Sequence, residues 1–345
     1  MLRIFRKGLV SGMLKELCLL NGTSGDESAV RNFIIDQIKG KCEYKVDALG
    51  SVIAFKKGRK TSDKKVMLSA HMDEVGFIIT SVTEDGYFKF APVGGIEPEV
   101  VLTRRLNVNG RIGVVGAKAV HLMSSEEKDS APKFSEFLID IGANSREEAE
   151  KIAASGDFVY FISDYCEFGN GLLKAKALDD RIGCMLLIEL IQGDLEYDTY
   201  FCFQVQEEVG LRGAACTAFR VQPDVAVVLE STTASDIDGV HGAERCCLLG
   251  HGPVISYMDG RTVYDRDLYQ KAFKVAKDNG IPVQTKTKIA GGNDAGAIQT
   301  AAGGCRVCAV SLPCRYIHSG SSVVKKSDIN ETRKFLKVFL NLLYD

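Results

Sequence analysis

Five stretches of the chain set histidine or acidic side chains directly behind apolar runs. His71 and Asp73 follow residues 66–70, and Glu207 and Glu208 follow 199–206. Glu230 follows 225–229, His318 lies shortly after 306–312, and Asp179-Asp180 opens a helical pattern behind 174–178. Runs of this kind read as buried strands, and in open α/β sheets sites form outside the carboxyl ends of the strands. Several strands therefore deliver imidazoles and carboxylates to one rim. Carboxylates gathered in a cleft repel one another and hold protons, a cost that a divalent cation removes. Two histidines with three carboxylates suit zinc, cobalt or manganese better than calcium or magnesium. If one carboxylate bridges, His71, Asp179, Glu208, Glu230 and His318 give each of two ions three ligands, with positions left for water and substrate.

The local spacings add detail. On an extended segment His71 and Asp73 point to the same face, so Asp73 can accept the second ring N–H of His71 and strengthen it as a ligand. Adjacent Glu207 and Glu208 supply what a metal hydrolase needs: one carboxylate on the metal, another to take a proton from water. Each motif has a plainer reading. A His-x-Asp pair also occurs on surfaces, paired glutamates also make solvated turns, and aspartate is a common helix N-cap. The conjunction of five motifs in order, each at a strand end, carries the inference. Asp236 and Asp238 are weaker candidates for the place given to Glu230.

The elements that must position these residues are legible in outline. From Lys174 onward, helical patterns over 180–193, 213–219, 264–279 and 328–343 alternate with strands at 199–205, 225–229 and 306–312. That alternation predicts a helix-covered, mixed and largely parallel sheet. Before it, Ser24-Gly-Asp-Glu27 reads as a capping box for a helix over 28–38. The runs 45–49 and 52–56 read as a hairpin about Gly50-Ser51. Residues 75–167 differ in character: short β-rich runs at 76–82, 87–91, 106–108, 112–118, 137–141 and 158–163, split by turn signals such as Asn109-Gly110. One helix over 146–154 is capped by Asn144 or Ser145. The expected organisation is an α/β domain from 1–74 and 168–345 with a small β-rich domain, 75–167, inserted in it.

Composition narrows the classes. The 345 residues are 46% hydrophobic and 26% charged with a formal net charge of -2, and no long basic run marks a nucleic-acid surface. No apolar run is long enough to span a bilayer. The basic start is broken by Arg6, Lys7, Lys15 and Glu16 at helical spacing, which reads as an amphipathic first helix rather than a signal peptide. Cys305-x-x-Cys308 has metal or redox spacing but lies in a strand-like run without a second pair, so both thiols are expected in the core. Eleven cysteines, an odd number, fit a reducing cytoplasm.

The runs Ser69-Ala-His-Met-Asp-Glu-Val-Gly-Phe77, Ala177-Leu-Asp-Asp-Arg-Ile-Gly183 and Gln206-Glu-Glu-Val-Gly-Leu-Arg-Gly-Ala214 belong to one pattern, with Gly291-Gly-Asn-Asp-Ala295 and Arg315-Tyr-Ile-His-Ser319. Together they resemble the cytosolic tetrahedral, glutamyl and deblocking aminopeptidases, also called cellulase M, over essentially the whole chain. The resemblance implies a zinc-exopeptidase-like fold and removal of N-terminal residues from short peptides with a free N-terminus. It implies water activated between two divalent ions, with Glu207 as general base. It makes Asp179 the bridge, His71 and Glu230 the partners of one ion, and Glu208 and His318 those of the other. Asp73 would orient His71, and the Asp179–Asp180 peptide would be cis. A homo-oligomer is implied as well, a tetrahedral dodecamer whose assembly and substrate access involve the inserted domain. Glu230 stands where aspartate is commoner, which bears on metal preference.

Three alternatives stand beside this. One is another two-metal amide hydrolase. A second is a β-1,4-glucanase, although glycosidases normally use a metal-free carboxylate pair. The third is a non-catalytic assembly or peptide-binding protein, which would have no need of Glu207.

Overall fold

The computed structural model describes residues 7–345. Its main sheet has eight strands in the order Glu43–Val46, Val52–Lys56, Thr199–Gln204, Val66–His71, Val225–Thr233, Arg306–Cys314, Val254–Ile255 and Gln284–Thr285. The four middle strands run parallel, and antiparallel pairings flank them on both sides. The sheet is mixed and largely parallel, as the alternation of helices and strands predicts.

Side-chain alternation divides the packing between the two faces. Val225, Val227 and Leu229 join Leu68, Ala70, Val310 and Leu312 in a core closed by the helices Ser28–Ile38, Leu178–Gln192 and Lys326–Leu342. The intervening Ala226 and Val228 face the other way, with Val307 and Ala309, against the helices Arg212–Val221 and Ala295–Thr300. Cys305, just before the strand Arg306–Cys314, is half-buried against this second core, while Cys308 within it sits in the first, so the two thiols point into different cores and serve packing. All eleven cysteines are free thiols.

Residues 76–161 contain a closed six-stranded antiparallel barrel with its own core. Phe77 anchors that core, meeting Phe90 and Phe161 edge-on with ring centroids 5.2 and 5.0 Å apart. Val108 pairs with Arg111 across Asn109 and Gly110, whose φ values of 48° and 84° make the tight turn that Asn-Gly favours. The chain returns to the main sheet through a small sheet of Cys166–Phe168, Leu172–Ala175 and Ser322–Lys325.

Several local expectations change. The strand beginning at Val225 does not stop before Glu230; it runs to Thr233, because its neighbour Arg306–Cys314 pairs with it along its whole length. Glu230 is therefore inside a strand. The hairpin register moves back, with Glu43–Val46 on Val52–Lys56, because the Asp47 carboxylate gathers the N–H groups of Leu49, Gly50 and Ser51 into the turn. The helix after Ser145 ends at Glu150, with the Ser145 side chain as its cap. The first helix is described over Lys7–Leu19, and the basic start before it lies outside the described residues. Among the described residues no helix is long and apolar enough to cross a membrane.

Candidate active site

The strand Val66–His71 ends on a histidine whose side chain is 1% exposed. Its Nδ1 lies 3.1 Å from the Asp73 carbonyl and 3.4 Å from the Asp73 carboxylate. A ring N–H donated on that side leaves Nε2 to take either a cation or a second proton. Nε2 stands 3.3 Å from Glu230 Oε1 and 3.5 Å from Asp179 Oδ1, yet it has no hydrogen bond and no solvent. Burial opposes a charge on this imidazole, but the Glu230, Asp179 and Asp73 carboxylates outweigh it and hold its pKa well above the usual histidine range.

Asp73 does more than orient His71. Its carboxylate accepts the Glu207 N–H at 3.0 Å, the Glu208 N–H at 3.1 Å and the Ser24 hydroxyl at 2.6 Å. One buried side chain thus fixes the turn behind the strand Thr199–Gln204 on which both glutamates sit. Gln206 turns there with φ 56°, and its N–H donates to Glu27 Oε1. Ser24 and Glu27 are therefore not a capping box. Glu27 sits at the helix N-cap without a side-chain bond to the helix, and both residues face the site.

The Asp179–Asp180 peptide is cis. Asp179 is set between the two histidines, Oδ1 toward His71 Nε2 and Oδ2 3.8 Å from His318 Nε2. Asp180 turns back into its own helix, accepting the Gly183 N–H at 3.0 Å. A Cβ on Gly183 would lie 2.1 Å from that carboxylate, so only glycine leaves room. Glu208 Oε2 is 3.3 Å from His318 Nε2, and His318 holds a φ of 58° on the loop behind Arg306–Cys314.

The structure thus brings all seven expected residues together. Asp179 belongs to two groups able to hold an ion, one with His71 and Glu208 and one with Asp180 and Glu230. Asp180 is an addition, since sequence reasoning assigned a metal-binding role to Asp179 alone of the pair. Asp236 lies elsewhere: its carboxylate takes both Nε and a terminal nitrogen of Arg315 at 2.6 and 2.9 Å. Asp238 is exposed.

Also absent from the sequence reading is a buried ionic layer under the site. The Arg181 guanidinium donates to the carbonyls of Met72 and Leu17 and lies 3.5 Å from Glu74, which also holds Lys176 at 2.5 Å. These bonds lock the chain on either side of Asp73. Glu74 and Arg181 stand inside the quoted motifs, so the only signal was a charge amid apolar neighbours.

Electrostatics fit cation binding. Burial pushes the Glu208 carboxyl up to about 7, and raises Glu207 and Glu230 well above the carboxylate range. Beside the raised groups, Glu230 Oε2 and His71 Nε2 are buried without partners. Crowded carboxylates and orphaned donor atoms are what a divalent ion relieves. Glu207, Glu208 and His318 open on a cleft of about 490 Å³ that Arg261, Lys286, Lys288 and Gly291-Gly292 also line.

The M42 glutamyl aminopeptidase family model matches residues 50–335. A protein of Acetivibrio thermocellus named as an aminopeptidase is 39% identical over 328 residues, covering 94% of this chain and 96% of that protein. The TET aminopeptidase of Thaumarchaeota archaeon SCGC AB-539-E09 has a TM-score of 0.92 at 33% identity, covering 96% of each chain. The Pyrococcus horikoshii TET1 peptidase, described as assembling into a tetrahedron or a large octahedral shell, has a TM-score of 0.83 at 33% identity, covering 95% of this chain and 98% of that one. With that match over nearly its full length, the chain belongs to the M42 glutamyl aminopeptidase family and is a metal-dependent aminopeptidase.

Proposed function

We propose that the chain removes N-terminal residues from short peptides with the help of two divalent cations, zinc or cobalt, with manganese a third candidate. His71 and Glu230 hold one, Glu208 and His318 the other, and Asp179 lies between them. The observation that carries this reading is the Asp179 carboxylate, one oxygen turned to each histidine. Bound cations at such a set supply Lewis acidity and lower the pKa of water.

The chain's own residues supply the rest. Glu207 is the general base: its backbone is pinned by Asp73, and its carboxyl, raised by burial, is suited to keep a proton and pass it to the leaving amine. Asp73 is the positioning residue for His71 and for both glutamates. The cationic lining of Arg261, Lys286 and Lys288 supports a preference for substrates that carry a carboxylate into the cleft. The likeness to a TET peptidase that forms closed shells supports a homo-oligomer, a tetrahedral dodecamer, with the barrel domain contributing to assembly and substrate access. Exposed Ile112 and Val114 on the barrel surface fit that role. Free thiols throughout fit a cytoplasmic location.

Hydrolysis of Leu-, Ala-, Glu- and Asp-anilides with added zinc, cobalt or manganese tests the reading. Cleavage that chelator abolishes is expected, with the acidic substrates fastest. No cleavage by metal-loaded protein would overturn it. A light-scattering mass tests the assembly.

A further inference from the structure

Residues 22–27 lie between the helices Lys7–Leu19 and Ser28–Ile38 and touch both domains. Their first half is fixed behind the strand Val66–His71. Glu74 donates its N–H to the Gly22 carbonyl at 2.9 Å, its own carbonyl accepts the Ser24 N–H at 3.3 Å, and the Ser24 hydroxyl bonds the Asp73 carboxylate. Their second half reaches the turn that carries Glu207. Glu27, 3% exposed, accepts the Gln206 N–H at 3.1 Å and the Gly25 N–H at 2.8 Å on one carboxylate oxygen.

The barrel grips the residues in between. In its strand Phe158–Phe161, Val159 and Phe161 fill the barrel core, so Phe158 and Tyr160 point outward. Both meet the segment. A Cβ on Gly25 would lie 3.3 Å from the Phe158 ring, and Gly25 holds a φ of 98° that favours glycine. The Tyr160 hydroxyl donates to Asp26 Oδ2. Burial and that carboxylate push the Tyr160 pKa up, so the phenol keeps the proton it donates.

We propose that Tyr160 and Asp26 are positioning residues for Glu207: the barrel braces residues 25–27, and Glu27 passes the brace to the backbone beside the base. The consequence for turnover rests on Glu207 being the general base. Gln206 has a φ of 56°, which a residue with a side chain keeps only where its surroundings hold it. Two carboxylates hold this turn, Asp73 through the N–H groups of Glu207 and Glu208, and Glu27 through that of Gln206. Glu27 has no side-chain bond to its own helix. Its carboxylate is steadied by the Gly25 N–H, and Gly25 and Asp26 are the two residues that Phe158 and Tyr160 meet. A misplacement of about 1 Å in a catalytic constellation costs on the order of 10²-fold in rate, so even partial release of the turn is readable. Neither Asp26 nor Tyr160 lines the cleft, so their loss leaves substrate binding alone.

Y160F, which removes only the hydroxyl, and D26A are compared with wild type as zinc-loaded full chains on Leu- and Glu-anilides. Both are expected to lower kcat about tenfold, with KM and zinc content within about twofold of wild type. D26N, whose amide oxygen can accept the same hydrogen bond, recovers most of what D26A loses. The double variant Y160F/D26A is no slower than D26A, because the two residues act through one bond. Hydrogen exchange followed by mass spectrometry reads the brace without activity. The peptide covering residues 204–210 exchanges about tenfold faster in both single variants, while the barrel core around Phe77 keeps its protection. Wild-type kcat in Y160F and D26A, a loss carried by KM or by missing zinc, or unchanged exchange at 204–210 would overturn the proposal. If the wild-type chain cleaves no anilide, or Glu207→Gln keeps full turnover, the catalytic reading fails, while exchange at 204–210 still decides whether the barrel braces the turn.

Discussion

The two halves of the candidate site are built differently. The half around His71 lies at the end of a central strand, with its histidine 1% exposed and its backbone locked by Arg181, Glu74 and Lys176. The half around His318 lies on an irregular loop, with that histidine's side chain 38% exposed and its backbone at φ 58°. Glu208 and Asp179 belong to the seam. A buried ligand set is costly to leave empty, whereas an exposed one can exchange its ion with little effect on the fold. The comparison predicts a tight structural half and an exchangeable half within one catalytic centre.

Glu207→Gln bears on both halves at once. It is expected to lower kcat by roughly 10²- to 10⁴-fold, the usual range for a positioned general base, with the bound-metal content unchanged. Loss of an ion from this variant would make Glu207 a ligand and redraw the seam.

Next in size are the two histidines. His71→Ala leaves buried Asp179, Glu230 and Asp73 without their common partner, and destabilisation of about 3 kcal/mol is expected in chemical unfolding. His318→Ala should lose one ion, measured by elemental analysis, yet stay within about 0.5 kcal/mol of wild type. Equal destabilisation of the two would break the contrast. Asp73→Asn keeps the shape but weakens the orientation of His71, and a roughly 10- to 100-fold loss of cation affinity is expected, seen first at the buried half.

A pH slope is also expected in the chelated protein. Burial raises Glu208 from 4.5 to about 7, so between those values the folded chain keeps a proton that the unfolded chain has released. Stability therefore falls as pH rises from about 4.5 to about 7. His71, held above 6.5 by its carboxylate neighbours, adds a loss in the same direction above that pH. Asp179, lowered to about 2, acts only at more acid pH and with the opposite sign. Melting temperatures of chelated and zinc-loaded protein across this range should diverge as pH rises. Parallel curves would mean that the carboxylates are not relieved by the cation.

Much of this was legible in the sequence because it depends on period and position. Buried strands announce themselves as apolar runs, and a polar residue at the end of one is placed by the sheet itself; hence His71, Glu207 and Glu208. Glu230 was found but its setting was not, since nothing in Ser231-Thr-Thr233 reveals that a long neighbour keeps the strand going. The Ser24–Glu27 pattern misled for a related reason: short polar side chains near a helix start serve local caps or distant carboxylates equally well, and only the tertiary fold chooses Asp73 and Gln206. The ionic layer of Arg181, Glu74 and Lys176 depends on contacts between distant segments and left no periodic trace.

His71 and Asp179 flank the whole barrel in sequence, yet their side chains meet. An ion shared by the two acts as a reversible crosslink that closes a very long loop, the circumstance in which closure removes the most entropy from the unfolded chain. Such an ion would staple the barrel at its root. A metal held by this pair would fasten one folding unit to the other, so chelation is expected to expose the barrel's two connecting segments to proteolysis before either core unfolds.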